Sequence, residues 1–212
     1  MPDDTSTWAL IHSERAALAD TFEKLTPQQW ATPSLCSAWS VRDVAGHLLS
    51  SAEQTPAGFL AGMASTGLRF SALMQRGIGS RSGLSTEQLV DRLRARTTTT
   101  NRPPAPAVAM LGEVVLHGED LRRPLRLERV VDEQAVNACL DANVRASFPV
   151  GGKKRIAGLR LVATDTGWSY GSGPEVTGSG VDLLVAMTGR AAGLAGLSGD
   201  GLPALTERVS RR

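Results

Sequence analysis

The sequence is poor in aromatic residues, cysteine and histidine. Aromatic side chains make up 4% of the 212 residues, so alanine, leucine and valine must fill the core. The two cysteines, Cys36 and Cys139, show neither the CxxC spacing of a metal site nor a dense disulfide pattern. A disulfide-stabilised scaffold is therefore excluded, and two reduced thiols in a cytoplasmic protein are favoured.

Signals for secretion, membrane insertion and nucleic-acid binding are missing as well. Residues 1–7 are polar and acidic, without the basic start and apolar stretch of a secretory signal. No run approaches the roughly 18 apolar residues of a membrane span. The formal net charge is +2, and no dense basic cluster is interleaved with aromatics. We therefore expect a cytoplasmic protein whose partners are neither membranes nor nucleic acids.

The first 125 residues carry the repeat of amphipathic helices, with apolar residues at spacings of three and four. The helices are predicted over about 7–25, 27–30, a segment that starts at Ser40, a glycine-loosened segment 56–81, 85–97 and 107–121. Ser40, followed by Asp43, has the pattern of a helix N-cap. The last of these helices should stop before Pro124, because proline has no N–H to donate. At least four amphipathic helices in this length indicate a helix bundle.

The character of the sequence changes after Pro124. Two short alternating strands are predicted within 158–170, around a turn at 165–167, and a third near 175–177. Helices are predicted over 132–147, 181–194 and 202–209. The fold class is therefore α+β: a helical bundle over 1–125 is followed by a small α+β domain over 126–212, with the boundary between 125 and 150.

The three histidines are the first candidates for chemistry. Glu113 and His117 are four residues apart on a predicted helix, so both can reach one metal ion from the same face. Asp120 lies on nearly the same face and could accept a hydrogen bond from a ligand's free N–H. His47 points inward at the edge of an apolar stripe, and His12 is a possible substitute. From spacing alone, a core histidine and a solvated helix pair are the commoner interpretations.

Two segments carry a family resemblance. Residues 36–48 and 113–124 resemble the two signatures of the mycothiol-dependent maleylpyruvate isomerase family, in the expected order and at about the expected separation. The first signature comprises Trp39, the hydroxyl N-cap Ser40, a Val-Arg-Asp helix start and His47 followed by leucine. The resemblance covers roughly residues 8–124. It implies a DinB-like four-helix bundle in which His47, Glu113 and His117 hold a divalent metal, usually zinc.

The C-terminal part resembles the small sterol-carrier-like domain of the same family. Residues 182–190 look like its helix that ends in Gly-Arg. In the family an arginine of this domain faces the metal and handles substrate carboxylates, a role that the resemblance gives to Arg190. The alternative is an arginine that stabilises the end of its own helix.

The resemblance implies an enzyme that uses mycothiol, a low-molecular-weight thiol. Three protein ligands leave a metal position open for the thiol, whose sulfur would add to an electrophilic substrate and give isomerisation or S-transfer. Cys36 is interpreted as a small packing residue of a loop rather than as a nucleophile. The alternative function is a non-catalytic protein that keeps a metal for structure or sensing.

Overall fold

The computed structural model describes residues 3–36, 38–147 and 151–211. Contacts between Cα atoms divide the chain into two compact units, Asp3–Glu128 and the residues from Arg129 onward. The first unit is helical and the second combines helices with a three-stranded sheet, so the predicted α+β class is confirmed. In the described part of the chain, no helix has both the length and the apolar character that crossing a bilayer requires.

Four long helices form the bundle of the first unit. Its elements are α1 (Asp4–Glu23), α2 (Pro27–Trp30), α3 (Val41–Glu53), α4 (Pro56–Ser65), α5 (Phe70–Gly79), α6 (Thr86–Ala95) and α7 (Ala107–Leu125). Helices α1 and α3 each pack against both α6 and α7. Their facing sides bury aliphatic side chains, as the helical periodicity predicts.

The helix starts follow from local capping chemistry. Ser40 accepts a hydrogen bond from the backbone N–H of Asp43, whose carboxylate accepts from the Ser40 N–H in return, which confirms the predicted cap of α3. Helix α1 begins three residues earlier than Thr7, because the Asp3 carboxylate caps it by accepting from the Ser6 N–H at 2.7 Å.

The segment 56–81 contains two helices, α4 and α5, rather than one loosened helix. Gly67 and Leu68 lie between them with φ angles of 61° and 60°. Two consecutive left-handed residues reverse the chain and cannot continue a right-handed helix.

The prediction that the last bundle helix stops before Pro124 is wrong, because α7 continues through it to Leu125. Pro124 cannot donate to the carbonyl of Asp120, four residues earlier. That carbonyl instead accepts from the backbone N–H of Leu35, at 2.9 Å. A tertiary contact therefore satisfies the acceptor that proline leaves without its helical partner, and the helix ends only where Arg126 turns left-handed.

The second unit builds its sheet from β1 (Arg160–Ala163), β2 (Ser169–Gly171) and β3 (Glu175–Gly178). The order is β2-β1-β3: β1 pairs antiparallel with β2 and parallel with β3. The predicted turn closes the hairpin, with Gly167 at φ 66° and the Ala163 N–H bound to the Trp168 carbonyl at 2.8 Å.

The helices of the second unit are α8 (Glu133–Asn143), α9 (Gly180–Met187) and α10 (Leu202–Ser210). Helix α9 packs against α8 and the sheet, and α10 packs against α9. The predicted helix 181–194 is shorter than expected, because Gly189 takes a φ of 94° and the Arg190 N–H turns back to the Val185 carbonyl. A separate 3₁₀ helix, Ala191–Gly196, follows.

Candidate metal centre

Helices α3 and α7 bring His47, Glu113 and His117 together in the first unit. The His47 Nε2 atom lies 3.2 Å from each carboxylate oxygen of Glu113, and the His117 Nε2 atom lies 3.2 Å from Glu113 Oε2. One donor atom from each residue falls within 4.8 Å of the others. His47 is only 4% exposed, while the other two are half-buried. The three predicted residues therefore form one cluster.

The donor chemistry of this cluster fits a divalent cation. Two imidazole nitrogens and one carboxylate form a ligand set found in catalytic zinc sites. Ligands about 2.1 Å from a zinc ion lie roughly 3.4 Å apart in a tetrahedron, close to the 3.2 Å separations in the cluster. Three such ligands leave at least one coordination position for another molecule.

The charges of the cluster also suit a cation. Burial opposes ionisation of Glu113, but the charge of His47 and the hydrogen bonds from both histidines hold the pKa of Glu113 well below its usual value. Burial disfavours the charged form of His117, yet the bonds to Asp120, Cys36 and Glu113 raise its pKa well above the ordinary value. An ionised carboxylate is thus available, and a bound cation would replace the proton of His117.

Asp120 holds the ring of His117 from the other side. Its side chain is completely buried, and Oδ2 accepts from the Nδ1 atom of His117 at 2.8 Å. A proton on Nδ1 leaves Nε2 as the atom that faces Glu113. Metal-binding histidines commonly donate their second N–H to a carboxylate. The spacing of Glu113, His117 and Asp120 along one helix face predicts this role for Asp120.

Cys36 lies beside this pair, which the interpretation as a packing residue missed. Its Sγ atom is 3.0 Å from Asp120 Oδ2 and 3.7 Å from His117 Nδ1. Cys36, His117 and Asp120 thus form a second group of potential metal donors, which shares His117 with the first. No local pattern could reveal the contact, because 84 residues separate Cys36 from Asp120.

Two further residues near the cluster were not assigned roles from the sequence. The Trp39 ring lies 5.0 Å from the His47 ring and 5.9 Å from the His117 ring, between centroids. Arg15 of α1 is 8% exposed and donates to the Thr99 carbonyl at 2.7 Å. Burial lowers the pKa of Arg15 to about 10, although the charge of Glu113 favours its ionised form.

His12, the possible substitute ligand, belongs to neither donor group of the described residues. Its ring packs against Trp8 of the same helix, with centroids 5.8 Å apart. Burial and the charge of Arg15 lower the pKa of His12. The geometry therefore favours His47 as the third ligand.

Arg190 lies in the second unit, directly after α9. Its Nη1 atom donates to the Thr188 hydroxyl at 3.2 Å, and its backbone N–H closes the end of the helix on Val185. These contacts are those of the helix-end interpretation. The role of Arg190 toward a substrate remains a prediction.

The comparison with protein-family models gave a match within the first unit. Residues 11–106 match the model of the mycothiol maleylpyruvate isomerase N-terminal domain. The match includes His47 and ends before Glu113 and His117. The comparison with curated proteins found no match.

Two solved structures resemble the chain over nearly its whole length: the mycothiol-dependent maleylpyruvate isomerase and a histidine-to-alanine mutant of it. Each is 14% identical, with a TM-score of 0.61 over 94% of this chain and 93% of the other. At this identity the likeness establishes a shared fold. Together with the match of residues 11–106 to the family model, it confirms the resemblance to the mycothiol-dependent maleylpyruvate isomerase family found in the sequence.

Proposed function

We propose that the protein binds a divalent metal ion, zinc, through His47, Glu113 and His117, and that it activates the thiol of mycothiol for addition to an electrophilic substrate. One observation carries the proposal. Two imidazole Nε2 atoms converge on the Glu113 carboxylate within a bundle whose sequence matches the family. Such a set of three neutral or anionic donors is typical of zinc sites that accept an exogenous ligand.

The chain's own residues divide the work of holding the site. The two histidines offer Nε2 atoms from different helices, and Glu113 contributes one negative charge between them. Asp120 keeps the His117 ring in the orientation that exposes Nε2. When bound, the ion supplies a Lewis acid that keeps a thiol ionised at neutral pH.

The nucleophile in this proposal is the sulfur of mycothiol rather than a protein side chain. Its addition to the electrophilic carbon of a double bond would make one carbon–sulfur bond and break the π bond, whose electron pair moves onto the substrate. Release of the thiolate would restore the double bond after rotation and give cis–trans isomerisation, whereas protonation of the adduct would retain the sulfur and give S-transfer. Arg190 would bind an anionic group of the substrate with its planar guanidinium.

The substrate class is proposed more broadly than the names of the structural relatives. Those proteins are named for maleylpyruvate, but their 14% identity supports a common fold rather than a common substrate. One candidate arginine is mapped onto this sequence for binding carboxylates. We therefore propose an electrophile with at least one anionic group.

A thiol-conjugation assay tests the proposal. Purified full-length protein is incubated with mycothiol and a panel of electrophiles, with the metal-free protein and His117→Ala as matched controls. Loss of thiol or isomerisation of substrate above the uncatalysed rate is expected for the metal-loaded wild type alone. A protein that holds its metal but turns over none of the panel would instead support the non-catalytic alternative.

A further inference from the structure

We propose that Cys36 is a positioning residue for the metal ligand His117, acting through the carboxylate of Asp120. The inference rests on the proposed metal site and extends it to a residue outside the ligand set. The thiol donates its S–H to the Asp120 oxygen that also accepts from His117 Nδ1. Cys36 thereby helps to fix the direction in which His117 presents Nε2.

The carboxylate of Asp120 joins the two donors at a single oxygen. Oδ2 lies 2.8 Å from His117 Nδ1 and 3.0 Å from Cys36 Sγ. Asp120 is completely buried, so water does not stabilise its charge and protein donors must do so. Two donors on one oxygen restrict the rotation of the Asp120 carboxylate more than one donor would. The orientation of the His117 imidazole, which is bonded to that oxygen, is restricted with it.

The backbone around Cys36 is held by the same aspartate. The Leu35 N–H donates to the Asp120 carbonyl at 2.9 Å, the acceptor that Pro124 leaves without a helical partner. Further bonds fix the loop from within: the Cys36 N–H donates to the Ser34 hydroxyl at 3.2 Å and the Trp39 N–H to the Cys36 carbonyl at 3.0 Å. These main-chain hydrogen bonds therefore hold the Cys36 thiol within reach of the Asp120 carboxylate.

A positioning role for Cys36 can be distinguished from roles as a metal ligand or a nucleophile by substitution. A hydrogen-bond donor at position 36 can be replaced by a hydroxyl, whereas a metal ligand or a nucleophilic sulfur cannot be replaced in this way without a large loss. Partners that orient metal-bound histidines typically contribute about ten- to a hundred-fold to metal affinity. We expect Asp120 to lie within this range and Cys36 to lie near its lower end.

The test measures zinc affinity of the full-length protein by competition with a chromophoric chelator. Cys36→Ala is expected to weaken zinc binding by about ten-fold and Asp120→Ala by more, because each removes a partner of the ligand. Cys36→Ser keeps an O–H donor and should stay within about three-fold of wild type. Cys139→Ala, a change at the buried cysteine of the second unit, is the matched control and should bind as wild type does.

A second readout separates positioning from direct ligation and from loss of fold. The cobalt-substituted wild type should lack an intense sulfur-to-cobalt charge-transfer band, and Cys36→Ala should alter only the weaker ligand-field bands. A charge-transfer band that disappears in Cys36→Ala would make Cys36 a ligand and overturn the proposal. Unchanged zinc affinity in a folded Cys36→Ala protein would overturn it as well, as would a serine variant as damaged as the alanine variant.

If the wild type binds no metal, the proposed function is refuted, but the positioning role of Cys36 can still be tested in the metal-free protein. The imidazole Nδ1 proton of His117 should then still exchange slowly with water in the proton NMR spectrum of the metal-free protein. Cys36→Ala should accelerate that exchange, and Cys36→Ser should restore it. Equal exchange rates in the three proteins would refute the positioning role on its own.

Discussion

At the scale of single residues, the candidate ligands differ in what else holds them. His47 is almost fully buried against Glu113 and Trp39, while His117 is also bonded to Asp120. Removing one imidazole from this cluster deletes a ligand, while the Glu113 carboxylate keeps the other histidine as its partner. Truncations at these positions should therefore affect metal content more than they affect the surrounding helices.

Metal content should distinguish these residues. We expect about one divalent ion per chain in protein purified without chelator, in keeping with a single three-ligand site. His117→Ala should lose the ion, and His47→Ala or Glu113→Ala should bind it far more weakly. His12→Ala should retain it, since His12 belongs to neither donor group of the described residues. Elemental analysis of the four variants provides the measurement.

Two results would contradict this assignment. Full metal content in His117→Ala would show that His117 is not a ligand, although both donor groups contain it. A loss in His12→Ala would mean that α1, rather than α3, provides the third ligand.

Catalysis should depend on the metal and on the added thiol rather than on the protein's own sulfur. Cys36→Ser should keep most of the kcat/KM with mycothiol, because the hydroxyl still donates to Asp120. Removal of the metal should abolish turnover, since in the proposed reaction the metal keeps the thiol ionised at neutral pH. An inactive Cys36→Ser protein that retains its metal and fold would favour a cysteine nucleophile.

The sequence predicted part of this site for a physical reason. Glu113 and His117 share one helix, so their spacing alone places them on one face. The approach of His47 from another helix, 66 residues away, came from the family resemblance. The contacts of Cys36 and Trp39 with His117 depend on how a loop folds over α7, and no residue pattern encodes that geometry locally.

At the scale of elements, features that depend on neighbouring residues could be predicted from the sequence, whereas features that depend on tertiary contacts could not. The cap at Ser40 was predictable because its partner, Asp43, lies three residues away. The end of α7 was not, because the fate of the carbonyl facing Pro124 depends on Leu35 in another segment. The parallel pairing of β1 with β3 was likewise beyond a prediction that identified the strands one by one.

Glu53, at the C-terminal end of α3, connects three elements through ion pairs. Its carboxylate binds Arg81, which follows α5, at 2.6 Å and Arg92 of α6 at 2.7 Å, with 15% of the side chain exposed. Burial opposes ionisation of Glu53, but the hydrogen bonds from Arg92 and Arg81 prevail and lower its pKa below 4.5. The carboxylate therefore stabilises the fold in its charged form.

Glu53→Gln should lower the free energy of unfolding by about 1–2 kcal/mol at neutral pH, because charged hydrogen bonds at a half-buried, partly solvent-screened site are lost. The lowered pKa sets the sign of the pH dependence. The stabilisation is fully present above the unfolded-state pKa of about 4.5 and is lost as the pH falls through the lower folded-state pKa. Urea unfolding across this range should show the two proteins converging in acid.

Glu23→Gln serves as the matched control for Glu53→Gln. Glu23 also pairs with an arginine, Arg94 at 2.6 Å, but its side chain is 59% exposed. Exposed pairs contribute less than about 1 kcal/mol. A pH-independent difference between wild type and Glu53→Gln would show that the ion pairs are not its source.

At the scale of the whole molecule, the chain keeps a fold while sharing few residues with its structural relatives. A TM-score of 0.61 at 14% identity means that most aligned positions carry different side chains. Apolar periodicity and helix caps survive such exchange, which is why the α+β class was predictable. A substrate depends on a handful of side chains and does not follow from the same pattern.

In the proposed reaction, the metal ligands belong to the first unit of the chain and Arg190 belongs to the second. Arg190→Ala should lower kcat/KM for anionic electrophiles and leave neutral ones nearly unchanged, because the guanidinium orients a carboxylate. Arg190→Lys should rescue only partly, since an ammonium lacks the planar fork. Steady-state kinetics with matched anionic and neutral substrates provide the measurement.

Arg160→Ala is the control for this experiment. Arg160 lies on β1, about half exposed, and pairs with Glu175 at 3.4 Å. Its loss should leave both classes of substrate unaffected. If Arg190→Ala reduces both classes equally and lowers the melting temperature, the contact with Thr188 at the end of α9 accounts for the residue instead.

The position of Trp39 gives the protein an optical signal of its own. Its indole lies within 6 Å of both candidate imidazoles by ring centroid, so its fluorescence senses the electronic state of those rings. Occupancy of the cluster by a cation changes that state and should change the emission intensity. Trp39→Phe would remove the response while leaving Trp8, Trp30 and Trp168 to emit as before. Binding could then be followed in real time without a dye or a label.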